Sequence, residues 1–208
     1  MGTSHCWECG WPKPLHLGNC GSKGRKVRLI AFCGKANVGK DTAAMYLVRR
    51  HNYVKYGFAD PIKRGLNATF GWTMSQWIER GWKETADLQL GFSPRKAAQT
   101  FGTEWGRQML RDDIWILLAD MFYSALDDCG AAGMVISDLR YDNEAAWVKK
   151  VGGSIIQLER QVEDVRPHSS EQGVNLGYID AFIKNEGTLS DLFDAVEEFH
   201  ATQTPLAS

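Results

Sequence analysis

Val27-Arg28-Leu29-Ile30-Ala31-Phe32-Cys33-Gly34-Lys35-Ala36-Asn37-Val38-Gly39-Lys40-Asp41-Thr42 is the stretch that decides the fold. Val27 to Cys33 is a short apolar run that stops at a glycine, the pattern of a strand buried on both faces of a parallel sheet. From Thr42 onward Ala44, Leu47 and Val48 share one helical face. Between strand and helix lies the spacing GxxxxGK, with Gly34 first and Gly39-Lys40 last. The two glycines let the backbone turn with its N–H groups inward, the helix N-terminus adds positive potential, and Lys40 brings a mobile charge for the outer phosphates. Gly34, Lys35, Ala36, Asn37, Val38, Gly39, Lys40, Asp41 and Thr42 are therefore the candidate binding residues for a nucleoside triphosphate. The position after Lys40, ordinarily Ser or Thr with its hydroxyl on Mg²⁺, is Asp41, and the hydroxyl comes one residue later as Thr42. Both are candidate Mg²⁺ ligands. The bland alternative is a chance glycine turn with Asp41 as a helix cap; the flanking strand and helix weigh against it.

Working outward, Tyr53 to Phe58 reads as a second short strand, and Asp60-Pro61 opens a helix whose Ile62, Leu66 and Phe70 share a face. Ser93-Pro94 repeats that start signal. Ile114, Leu117, Leu118, Met121 and Ala125 form an amphipathic stripe that stops at Gly130. Met134 to Ser137 is a further strand with Asp138 and Arg140 beyond its end, and Ser154 to Leu158 is another that delivers Glu159 and Arg160. Gln161 to Gly177 reads as a polar loop, Ala181 to Lys184 as a last short strand, and Thr188-Leu189-Ser190-Asp191 as a capping pattern before Leu192, Val196 and Phe199. Alternating strands and helices imply an α/β fold with a doubly wound parallel sheet.

The chain has 208 residues, 44% of them hydrophobic, which predicts one medium domain with a small appendage. The charge balance is 24 Lys and Arg against 25 Asp and Glu, net −1, so no global attraction to a polyanion is expected. No run approaches the roughly 20 apolar residues of a membrane span, and the first 30 residues lack the apolar core of a signal peptide. A cytoplasmic protein is expected, without a membrane partner. The five cysteines, Cys6, Cys9, Cys20, Cys33 and Cys129, then read as reduced thiols.

Residues 1–26 form a Cys-rich N-terminal extension distinct from the domain predicted over 27–208. Cys6, Cys9, His16 and Cys20 are one candidate zinc set of the Cys₃His kind, although their spacing is not that of a compact knuckle and His5 is a rival ligand. A reduced tail without metal is the competing reading. With zinc bound, the basic linker Lys23, Arg25, Lys26 and Arg28 would make this extension the one place for a nucleic-acid contact.

Beyond the phosphate loop, the Gly39-Lys40-Asp41-Thr42 ending, Phe58-Ala59-Asp60-Pro61-Ile62-Lys63, Ser93-Pro94-Arg95-Lys96-Ala97-Ala98-Gln99, Phe101-Gly102-Thr103-Glu104 with Arg107, and Asp113-Ile114-Trp115 resemble the bacteriophage deoxynucleoside monophosphate kinases. Val135-Ile136-Ser137-Asp138-Leu139-Arg140-Tyr141 with Asn143-Glu144, Gly152-Gly153, His168-Ser169-Ser170-Glu171 and Asn185-Glu186-Gly187-Thr188-Leu189 continue the likeness, which covers about Arg28 to Phe199. The resemblance implies a P-loop kinase core of three α/β/α layers, ATP with Mg²⁺, and transfer of the γ-phosphoryl group to a deoxynucleoside 5′-monophosphate for DNA synthesis.

Phosphoryl transfer between two anions asks chiefly for positioning and positive charge, which makes Lys40, Arg140 and Arg160 the first catalytic candidates. By the family pattern Asp138 ends the strand of the Walker-B acid and orients Mg²⁺ or its water, while Arg140 holds the acceptor phosphate. A local surface ion pair is the alternative for these two. Asp60, Lys63, Arg95, Lys96, Gln99, Thr103, Arg107 and Trp115 are candidates for binding the acceptor, with Trp115 offering an aromatic plane. Against that, Asp60 is also an ordinary helix cap, and most of the eight tryptophans must simply pack. Arg160, Arg166 and His168 are candidate lid residues, and Asn185 lies near the adenine by resemblance alone. The expected partners are ATP and the monophosphate, with a homodimer left open. Two other classes stay in play: a P-loop kinase acting on another phosphorylated metabolite or a modified base in DNA, and a non-catalytic nucleotide- or nucleic-acid-binding protein.

Overall fold

The structure is a computed structural model that describes residues 27–79, 81–126, 130–161 and 173–202. The chain divides into two compact units, one made by the stretch up to Tyr56 together with everything from Asp120 on, the other by Gly57–Ala119. The span expected as a single domain, 27–208, thus carries its second unit as an insertion.

The first unit is built on five strands, β1 (Arg28–Cys33), β2 (Tyr53–Tyr56), β3 (Gly133–Ile136), β4 (Ser154–Glu159) and β5 (Ala181–Lys184). All four pairings are parallel, in the order β2-β3-β1-β4-β5. Alternation along the strands sends side chains to two buried faces. Ile30, Phe32, Val135, Ile156, Leu158 and Ile183 pack beneath α1 (Lys40–His51) and α6 (Leu189–Thr202), meeting Ala43, Ala44, Leu47, Leu192 and Val196. On the other face lies α5 (Asp142–Lys150), where Val148 and Leu29 both crowd Gly153. The C-terminal part of α4 (Ile114–Leu126) joins it: Phe122 meets the Tyr56 ring at 4.9 Å, and Trp147 donates its indole N–H to Asp120 at 2.8 Å. Right-handed crossovers explain the two layers, because β1 runs through α1 outward to β2 and β3 runs through α5 in the opposite direction to β4. The connections therefore diverge at β1, the switch point where open α/β sheets bind ligands outside the carboxyl ends of their strands.

Local sequence sets most of these boundaries. Asn52 takes a left-handed φ of 55° and ends α1 directly before β2. Thr188 and Asp191 cap α6 reciprocally, the Thr188 N–H donating to Asp191 at 2.6 Å and the Asp191 N–H to the Thr188 hydroxyl at 3.3 Å. The α5 helix went unread in the sequence because its first turn is polar; Glu144, 2% exposed, anchors it by accepting from the backbone N–H groups of Arg140 and Tyr141.

The second unit opens with α2 (Asp60–Phe70), its proline in the first turn as expected, and holds α3 (Pro94–Gln99), capped by the Ser93 hydroxyl on the Lys96 N–H at 3.2 Å. The chain continues from α3 as a π-helical stretch, Thr100–Leu110, which closes with the Arg111 N–H on the Gly106 carbonyl. Trp72, Trp77 and Trp82 meet edge-to-face at 5.4–5.9 Å, and Phe70 packs on Trp72 at 4.8 Å. They are half-buried and pack on one another, with the Trp77 indole donating to Asn67 at 2.8 Å.

Candidate functional site

The phosphate loop forms at the carboxyl end of β1. Gly34 has φ 126° and Gly39 φ 105°, both in the left-handed region that a side chain resists. Space is closed as well: a Cβ on Gly34 would lie 2.3 Å from the Leu158 carbonyl oxygen, and one on Gly39 2.6 Å from Asn185 Nδ2. Asn37 adds a third left-handed residue, at φ 63°. Lys40 curls back across the loop and donates to the carbonyls of Gly34 at 2.7 Å and Lys35 at 2.5 Å. The α1 N-terminus has no side-chain cap, so its first N–H groups point into the loop and favour an anion there.

Asn185 follows β5, is 7% exposed, and donates to the Val38 carbonyl at 2.9 Å, while its own N–H binds the Glu159 carbonyl at 2.7 Å. It fixes the loop from beneath. In sequence, 147 residues separate it from Val38. Spacing gives no hint of such a contact.

Asp41 stands in the first turn of α1, and its Oδ1 accepts from two groups on neighbouring strands: the Ser137 hydroxyl at 2.7 Å and the Lys55 ammonium at 2.5 Å. Neither Ser137 nor Lys55 was singled out from sequence. Thr42 lies next to Asp41, half-buried. Carboxylate and hydroxyl oxygens are hard donors, the chemistry that suits magnesium.

Asp138 and Arg140 follow β3 as expected, Asp138 half-buried and Arg140 exposed, in the segment that the buried Glu144 ties down. Arg160 is exposed beyond the end of β4. Arg166 and His168, with the zinc candidates Cys6, Cys9, His16 and Cys20, lie outside the described residues. Cys33 directly precedes the loop; burial pushes its thiol up to about 11, against a smaller opposing pull from Lys40.

Within the second unit, the Asp60 carboxylate accepts from the Gly57 N–H at 2.9 Å and stands 3.4 Å from the Lys63 ammonium. Arg95 grips Glu84 through Nε at 2.7 Å to each oxygen, and Lys96 is exposed. Gln99 and Thr103 follow one another along the α3 and π-helical stretch, both half-buried. Two of the acceptor candidates are buried. Arg107 is 9% exposed and donates to the Asp112 carbonyl at 3.0 Å, and Trp115 is 4% exposed with its indole N–H on the Gly102 carbonyl at 2.8 Å. Gly106 makes room for the Trp115 ring, because a Cβ there would sit 2.5 Å from it. The ring is held as packing and presents no open plane.

A sheet of this order with a phosphate loop at its switch point defines a P-loop kinase core of three α/β/α layers. Solved structures share the fold: TT1252 from Thermus thermophilus, TM-score 0.50, 16% identical, with 86% of this chain and all of that chain covered. A sugar kinase from Janibacter also gives 0.50 at 9% identity, with 88% and 99% covered. The sequence model of the family "Deoxynucleotide monophosphate kinase" matches residues 28–81 and 71–196. A protein of Acanthamoeba polyphaga mimivirus, provisionally named a deoxynucleotide monophosphate kinase, is 30% identical over 181 residues, 81% of this chain and 93% of its own length. The deoxynucleoside-5′-monophosphate kinase of Escherichia phage T5 is 31% identical over 105 residues, 47% of this chain and 41% of that protein. The chain belongs to the deoxynucleotide monophosphate kinase family and is a phosphotransferase of nucleotides. No helix among the described residues is long and apolar enough to cross a membrane.

Proposed function

We propose that this protein transfers the γ-phosphoryl group of ATP to a deoxynucleoside 5′-monophosphate, releasing ADP and a deoxynucleoside diphosphate in the cytoplasm. The observation that carries the reading is the left-handed glycine loop over the uncapped start of α1, with Lys40 at its mouth and Asp41 beside it. The loop N–H groups and Lys40 hold the β- and γ-phosphates. Asp41 and Thr42 offer oxygen to Mg²⁺, with Asp138 the acid expected from the family pattern. Bound there, the ion would neutralise negative charge on the phosphates. Arg140 and Arg160 stand at strand ends where guanidinium groups stabilise the charge that spreads over the transferred group. Asp60, Lys63, Arg95, Lys96, Gln99 and Thr103 supply charge and hydrogen bonds for the acceptor.

The test is ADP formation from ATP and Mg²⁺ with each common deoxynucleoside and ribonucleoside monophosphate, beside an acceptor-free blank and a DNA-only reaction. Turnover with one or more deoxynucleotides well above the blank is expected. Silence with every free nucleotide overturns the reading, and turnover with DNA alone moves the acceptor to the polymer.

A further inference from the structure

In phosphate-loop enzymes the hydroxyl after the loop lysine and a carboxylate at the end of the neighbouring strand share the metal. Here the residue after Lys40 is the acid, Asp41, and the residue that follows β3 is the alcohol, Ser137. They are hydrogen-bonded at 2.7 Å, and Ser137 is 5% exposed. We infer that carboxylate and hydroxyl have exchanged elements in this chain: Asp41 is the anionic metal-site group, Ser137 is its hydroxyl partner, and Lys55 positions the pair. The inference deepens the phosphotransfer reading and rests on it.

Three observations bear on it. Position comes first: Val135 lies in the core beneath α1, and Ser137, two residues on, continues that face, whereas Asp138 falls one residue out of phase. The register places Lys55 beside Val135 across the β2–β3 pairing, which brings the ammonium to the same side as Ser137. Charge comes second, because a carboxylate in the first turn of α1 is favoured by the helix dipole, and Lys55 offsets part of its repulsion toward incoming phosphates. Geometry comes third: Lys55 and Ser137 both bind Oδ1, so the carboxylate is held in one orientation from two strands. An exposed ion pair contributes little stability by itself, and Asp41 is 77% exposed, so the function of the Lys55 contact is orientation.

The experiment measures Mn²⁺ binding by electron paramagnetic resonance on the full chain with a non-hydrolysable ATP analogue. Asp41→Ser leaves two hydroxyls and Ser137→Ala removes the hydroxyl partner; each is expected to weaken Mn²⁺ binding by about 10- to 100-fold, as loss of a metal's supporting groups does. The double variant Asp41→Ser/Ser137→Asp restores one of each and is expected to recover most of that loss. Asp138→Asn is expected to cost less affinity than Asp41→Asn. Lys55→Met lowers affinity with an unchanged melting temperature, and Lys55→Arg rescues it. A double variant no better than Asp41→Ser, or an Asp138→Asn protein as impaired as Asp41→Asn, overturns the exchange. Asp41→Asn, nearly isosteric, serves if Asp41→Ser fails to fold. Failure of the wild type to bind the analogue or to turn over any acceptor would instead overturn the kinase reading.

Discussion

Lys40 donates to two carbonyls of the phosphate loop, so Lys40→Ala should leave the fold intact and abolish turnover. Thermal melting beside the ADP assay checks both halves. Arg140, exposed after β3, is expected to act on the transferring charge, so Arg140→Ala should remove about 2–4 kcal/mol of transition-state stabilisation in kcat/KM. Wild-type kinetics would remove Arg140 from the mechanism. Cys33 makes the opposite kind of case, since burial pushes its thiol up to about 11 and almost no thiolate exists at neutral pH. Alkylation by iodoacetamide at pH 8 followed by peptide mass mapping should leave Cys33 unmodified in the folded protein.

At the scale of elements, the ends of α1 and α6 are joined by His51, Glu197 and His200. Glu197 Oε2 accepts from the Tyr46 hydroxyl at 2.7 Å and pairs with His51 Nε2 at 2.7 Å, while the His51 and His200 rings stack at 4.0 Å. The Tyr46 hydrogen bond, then that of His51, holds the Glu197 carboxyl below its usual range; burial, then the charges of His51 and Arg28, holds His200 below its ordinary value. Both shifts have the same sign for stability. A depressed histidine is harder to protonate folded than unfolded, so stability falls as pH drops from the ordinary imidazole range through the lowered value. The depressed carboxylate adds a further loss at lower pH, below its unfolded range. The melting temperature should therefore fall as pH drops below about 6.5, and His200→Gln should flatten the upper part of that fall. An unchanged profile in the variant would show that other groups set it. The strands and helix starts came through from sequence because strand alternation, the Asp60-Pro61 and Ser93-Pro94 starts and the Thr188–Asp191 cap are local. The π-helical stretch did not, because the widened hydrogen bonds from Thr100 to Leu110 leave no mark on the order of residues there.

Across the whole molecule, the central strands β1, β3 and β4 are covered on both faces, whereas the stretch 71–92 is held by half-buried Trp72, Trp77 and Trp82. Hydrogen exchange should be slowest in Leu29–Cys33, Met134–Ile136 and Ile155–Leu158 and faster across 71–92, because protection follows burial and paired backbone. The sequence alone determined the phosphate loop, the parallel α/β class and the family, since glycine spacing, apolar runs and capping residues act within a few positions of one another. Tertiary structure alone decided that Asp41 meets Ser137, 96 residues away, and Lys55, 14 residues away, and that Asn185 holds the loop. It also decided that Trp115 and Arg107 are buried rather than presented. A side chain's local pattern sets its helix or strand, but its partners follow from which strands lie side by side, and the order β2-β3-β1-β4-β5 is written in no single segment.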